Sequence, residues 1–123
     1  MKTTKGGFTR GEVTHLNHLS NREHRIGIYT DTGYYTLAET NREFKEWKEN
    51  ASLIAAAFTA ATEVEDMGYD GMEAVRLLAE LLTHVALIDR FAFHGLPVHK
   101  SQYEVLHALL TRIKGEGKEA EHE

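Results

Sequence analysis

The chain has 123 residues, a size that suits one domain, with 41% hydrophobic residues and a formal charge of −5. It contains no cysteine, which excludes disulfides, thiolate metal sites and a cysteine nucleophile. No apolar run reaches the roughly 18 residues of a membrane span, and the start MKTTKGGFTRGE lacks the apolar segment of a secretory leader, so a cytoplasmic location is expected.

The charge is unevenly spread. Residues 1–30 hold five cations, Lys2, Lys5, Arg10, Arg22 and Arg25, against Glu12 and Glu23. That is +3, which leaves −8 for the rest of a chain whose total is −5. A nucleic-acid contact would belong to the N-terminal third, because the acidic remainder repels phosphate.

Four helix starts carry one signal, the capping box, in which an N-cap oxygen and a Glu three residues on satisfy each other's free N–H groups. The first is Thr9 to Glu12, flanked by Phe8 and Val13 as a hydrophobic staple; it predicts a short helix over 10–20. RIGIYTDTGYYTLAE follows, with β-branched and aromatic residues over 25–30 and 34–38 around Asp31-Thr32-Gly33. That predicts a hairpin over 25–38. The box Thr40 to Glu43 opens a second helix over 41–67, closed by Gly68. Its middle, ASLIAAAFTAA, is apolar all round, which predicts burial on several sides. Asp70 to Glu73 opens a third helix over 71–94, stopped by Gly95 and Pro97. Ser101 to Glu104 opens a fourth over 102–114, and residues 116–123 read as a disordered charged tail. The expected fold is α+β, mostly α, in a single domain over 1–115. Leu77, Leu78, Leu81, Leu82, Val85 and Ile88 cover more than one stripe of the third helix, more than so small a body easily covers, so a homo-oligomer is expected.

On the helical spacing of the first predicted helix, His15, His18 and, just beyond its end, Arg22 share a face, opposite Val13, Leu16 and Ser20. A solvated polar face is the plainest reading. A phosphate-contacting face is the next, and a zinc or iron site with His24 or Glu23 as third ligand is the last. Further on, Arg90 and His94 stand four apart beside Phe91 and Phe93, a pairing used for nucleotide bases and protein hot spots and equally common at a helix C-terminus. His84 reads as a satisfied core histidine. Glu63, Glu65 and Asp66 read as solvated surface or a partner-facing acidic patch. No P-loop, GxGxxG, GxSxG or kinase signature is present, so the expectation is a protein without catalysis, metal or cofactor.

FTRGEV, followed by SNREHRIGIYTDTGYYTLAETNREFKEWKENASLIAAAF, resembles the distal part of a winged helix-turn-helix family common in phages of Gram-positive bacteria. The matching residues are Ile26, Ile28, Gly33-Tyr34-Tyr35, Leu37, Thr40, Glu43 and the helix that follows. The resemblance implies a wing-like part over 1–39, a helical body over 40–115 and a phage or prophage origin. Between Thr9 and Ile26 there is room for one helix, where the family has two. The function expected on these grounds is inhibition or sequestration of a host component by occupancy, either a defence or regulatory complex or an anionic nucleotide. The alternatives are a transcriptional regulator binding DNA through a reduced winged helix, and a histidine-dependent metalloenzyme. The ligand-contacting candidates are Arg10, His15, His18, Arg22, Arg25, Tyr34, Tyr35, Arg90 and His94.

Overall fold

A computed structural model describes residues 1–15 and 24–115. The fold is α+β and mainly helical. Three strands, β1 (Glu12–Thr14), β2 (Arg25–Thr30) and β3 (Gly33–Glu39), precede α1 (Trp47–Asp66), α2 (Gly71–Arg76), α3 (Leu78–Phe93) and α4 (Lys100–Lys114).

The sheet is antiparallel in the order β1-β2-β3. The hairpin forms where the β-branched and aromatic run predicts it, extended by one residue at each end of its second strand. The helix expected over 10–20 does not form in its described part. Glu12 lies opposite Tyr29 and Val13 opposite Ile28, so these residues make a strand. Thr9, read as a helix cap, bridges to Thr3. The β-branched pair Val13-Thr14 suits that strand, and a free sheet edge on β2 supplies its hydrogen bonds. Residues 16–20 of the expected helix, and the expected disordered tail over 116–123, lie outside the described residues.

Residues 2–10 fold back on themselves as a strap, held by Thr4 N–H to the Phe8 carbonyl at 2.8 Å and Arg10 N–H to the Lys2 carbonyl at 2.9 Å. Phe8 meets the Phe58 ring edge-on, with centroids 5.3 Å apart. Glu65, one of the three acids read as surface, is instead buried. Its carboxylate accepts from three backbone N–H groups: Gly6 at 2.7 Å, Lys5 at 3.0 Å and Gly71 at 3.0 Å. It thereby joins the strap to α1 and to the start of α2.

α1 begins at Trp47, six residues later than expected. Thr40 does not cap it, because the Thr40 hydroxyl donates to the Trp47 carbonyl at 3.0 Å. Asn41 Oδ1 accepts from Glu43 N–H at 2.9 Å and closes a local turn instead. One side of α1 lies on the sheet and strap, where Ala51 and Ala61 are buried. Apart from the half-buried Ala55 and Phe58, the rest of its apolar middle is open, with Leu53 69% exposed, so the expected burial on several sides is not found.

The Asp70 cap is present. Its Oδ1 accepts from Glu73 N–H at 3.0 Å, and Asp70 is wholly buried. Gly71 follows where α2 crosses α1 so closely that a Cβ would overlap the Ala61 carbonyl. The helix expected over 71–94 is broken at Leu77, whose backbone leaves the helical range at φ −99°, ψ 5°. That break turns Leu77 into the small core it shares with Leu109 and Ile113, flanked by Tyr69, Ala74 and Leu81. Gly68 and Gly95 follow α1 and α3 at positive φ, as their stop signals predict. α4 starts at Lys100, two residues early, because Gln102 Oε1 accepts the His99 N–H at 3.0 Å; Ser101 sits inside the first turn. No helix among the described residues is long and apolar enough to cross a membrane.

Candidate functional site

The two faces of the sheet differ. Successive side chains on a strand point to opposite sides. Ile26 and Ile28 are buried on the α1 side. Tyr29 and Tyr34 pair across the hairpin on the open side, 56% and 50% exposed, with ring centroids 4.6 Å apart at a tilt of 50°. Gly27 lies next to them on the same side, opposite Thr36 on β3 and Thr14 on β1. The Tyr34 ring covers Gly27, and a Cβ there would overlap the phenol end of that ring. A strand glycine roofed by a neighbouring aromatic gives a flat surface, here two phenol rings bordered by threonine hydroxyls.

One end of this face carries cations. Arg25 and Glu39 stand opposite each other, with Arg25 Nε 2.7 Å from Glu39 Oε1. The Nε–H does not point along that line, so the contact is an ion pair and not a hydrogen bond. Next to it, an Arg42 guanidinium nitrogen lies 2.5 Å from His24 Nδ1. The guanidinium can only donate, so a hydrogen bond here has Nδ1 as its acceptor. The Thr40 N–H closes this end by donating to the His24 carbonyl at 2.9 Å. His15 follows directly on Thr14, the strand partner of Gly27.

Of the residues singled out from sequence, Arg25 and Tyr34 therefore share this face, with His15 at its margin. Tyr35 does not join them. It stands opposite Ile28, on the other side of the strand from Tyr34, and its hydroxyl meets Thr32 Oγ1 at 3.1 Å. Arg10 is spent elsewhere, 2.7 Å from Asp66 Oδ1. It lines an open cleft of about 430 Å³ between β1 and α1, where Glu12, Glu63 and Asp66 outnumber it. Arg90 and His94 lie at the end of α3, a helix that packs on α4 and α2, so they are not part of the sheet surface. His18 and Arg22 lie outside the described residues. His84 is half-buried and its imidazole makes no hydrogen bond among the described residues, so it is not the satisfied core histidine expected. Among the described residues no three His, Asp or Glu side chains converge as a bound metal ion requires.

Sequence reading missed Gly27 and Arg42. A signal for the first was present in RIGIY, where a glycine takes an outward position between two inward isoleucines. Arg42 carried no signal, because its role depends on the turn that replaces the first helical turn expected after Thr40. No protein-family model, curated protein or solved structure matches the chain.

Proposed function

We propose that the chain is a small non-enzymatic binding protein of the kind carried by phages and prophages. It presents the open face of its sheet to a host component and acts by occupying it. The observation that supports this reading is the half-exposed Tyr29–Tyr34 pair over Gly27. Tyrosine offers large, rigid contact area for the loss of only two side-chain rotations, and tyrosines dominate protein-binding hot spots. Arg25 is already paired with Glu39, which weakens its pull on a phosphate and favours a host protein complex over an anionic nucleotide.

A second reading is a DNA-binding regulator. It draws on the wing-like hairpin and on His24, Arg25 and Arg42 at its foot. Against it, only ten residues separate Thr14 from Arg25, too few for a positioning helix and a recognition helix.

The test compares wild type with Tyr29→Ala/Tyr34→Ala. Immobilised wild type should retain one host protein or complex in stoichiometric amount. Truncating a hot-spot tyrosine costs about 2 kcal/mol, so retention by the double variant should fall at least about 30-fold. Duplex DNA should not bind below about 10 µM at physiological salt. DNA binding that falls log-linearly with salt would transfer the function to the regulator reading. A partner held equally well by the double variant would remove the sheet face from the proposal.

A further inference from the structure

No residue of α3 is buried, although its 16 residues include four leucines. The half-buried side chains Leu81, His84, Ile88 and Phe91 share one side by i+3 and i+4 spacing and face the rest of the chain. A second stripe runs along the exposed side: Leu78, Leu82, Val85, Asp89 and Ala92, with Phe93 beside it. Its spacing of four, three, four and three is the 3.5-residue repeat of a helix packed along another helix. Among the described residues no other element covers it. Leu78 is 52% exposed, Leu82 59%, Val85 48% and Phe93 83%.

We infer that this stripe meets its own counterpart on a second copy of the chain. The two α3 helices cross antiparallel about a two-fold axis at Val85, and the two α3–α4 arms together form a four-helix bundle. This goes beyond the sheet-face reading and does not depend on it.

One observation favours a second copy and another sets its orientation. The first is area. The open parts of Leu78, Leu82, Val85, Ala92 and Phe93 amount to roughly 400 Å² of apolar surface. A standard interface takes about 800 Å² from each partner, of which about 450 Å² is apolar, so α3 alone nearly supplies the apolar share.

The second is Asp89, the one charged member of the stripe, whose carboxylate makes no ion pair or hydrogen bond among the described residues. A parallel symmetric pair would bring the two Asp89 carboxylates together in a drying seam, where like charges repel strongly. An antiparallel pair avoids this. With the axis at Val85, midway between Leu78 and Ala92, each large Leu78 meets a small Ala92. The two Asp89 positions then lie eight residues apart along the seam, about 12 Å.

Sedimentation velocity at about 50 µM tests the proposal, since specific interfaces of this size hold at micromolar concentrations or below. The 13.9 kDa chain should run as a dimer. Leu82→Glu/Val85→Glu should run as a monomer with unchanged far-ultraviolet circular dichroism. Leu53→Glu, on the open side of α1, should remain a dimer. The chain has no cysteine of its own, so orientation is read by oxidising single-cysteine variants. Val85→Cys should cross-link to itself and Asp89→Cys should not, because a disulfide needs Cα atoms within about 7 Å. A monomeric wild type overturns the proposal, and leaves the stripe to some other partner. So does a dimer that survives Leu82→Glu/Val85→Glu, or efficient cross-linking through Asp89→Cys.

Discussion

Replacing Glu65 with alanine tests how the N-terminal strap is held. The Glu65 carboxylate accepts three backbone N–H groups, and the three do not count equally. The Gly71 N–H is buried, so losing its acceptor leaves an unsatisfied donor at about 1–3 kcal/mol. The Lys5 and Gly6 N–H groups lie nearer the surface, where water can replace the carboxylate, and each is worth about 0.5–1 kcal/mol. Glu65→Ala should therefore destabilise the fold by about 2–5 kcal/mol. A domain of this size holds about 6–18 kcal/mol in all, so the loss is large. Glu65→Gln should lose about half as much. Its amide oxygen at the Oε1 position keeps Gly6 and Gly71, while its NH₂ group faces the Lys5 N–H, donor against donor. Urea unfolding followed by Trp47 fluorescence, at one fixed protein concentration because association adds to stability, measures both. Glu63→Ala, an exposed neighbour on α1, is the reference and should stay within about 0.5 kcal/mol of wild type. If Glu65→Ala falls in that same range, the clamp contributes nothing and the strap is held by its other contacts, Phe8 on Phe58, Arg10 on Asp66 and Lys5 on the Lys114 carbonyl.

Two glycines give predictions of opposite character. Gly71→Ala sets a Cβ against the Ala61 carbonyl, which is backbone and cannot move aside; a loss of about 2–4 kcal/mol by urea unfolding is expected, and a loss below about 1 kcal/mol would mean that α2 can slide off α1. Gly27→Ala meets first the far end of the Tyr34 side chain, which can swing away; the loss should be near 1 kcal/mol, with a weakened tyrosine band in near-ultraviolet circular dichroism as the Tyr29–Tyr34 contact opens. An unchanged band would show that Tyr34 does not rest on Gly27.

Legibility followed the range of the interaction. The β2–β3 hairpin was readable because turn residues and β-branched runs act over a few residues. The Asp70 cap was readable for the same reason. The Thr9 and Thr40 boxes have the same pattern and cap nothing. Thr9 was taken by a bridge to Thr3, and the Thr40 hydroxyl by a carbonyl seven residues on. A capping box states what a chain can do locally, and a nearby sheet edge that needs a partner strand overrides it. Leu77 shows the same limit in the core. The run from Gly71 onward is helix-compatible throughout, yet the chain turns at Leu77 to reach Leu109 and Ile113, more than thirty residues away. At the candidate site the tyrosines were visible, but their sidedness was not, since Tyr34 and Tyr35 separate only once β3 is paired in register with β2.

The charge asymmetry, read as a possible footprint for nucleic acid, has an internal use. The basic N-terminal third is set against the acidic body and against its own acids. Arg10 meets Asp66, Arg25 meets Glu39, and the strap backbone beside Lys5 meets the buried Glu65. The Lys5 ammonium also donates to the Lys114 carbonyl at 2.5 Å. Each exposed pair adds little stability, about 0–1 kcal/mol. Together they lower the positive potential that a phosphate backbone would meet. DNA binding works by releasing counterions from phosphates, and it needs cations that are free to replace them. Arg10 and Arg25 would first have to leave their carboxylates. The Tyr29–Tyr34 surface carries no such conflict, because its contact area is already open and its rings already held. That difference supports the proposed recognition of a protein surface, with the rings at its centre and the Arg25–Glu39 pair at its rim, over a grip on phosphate.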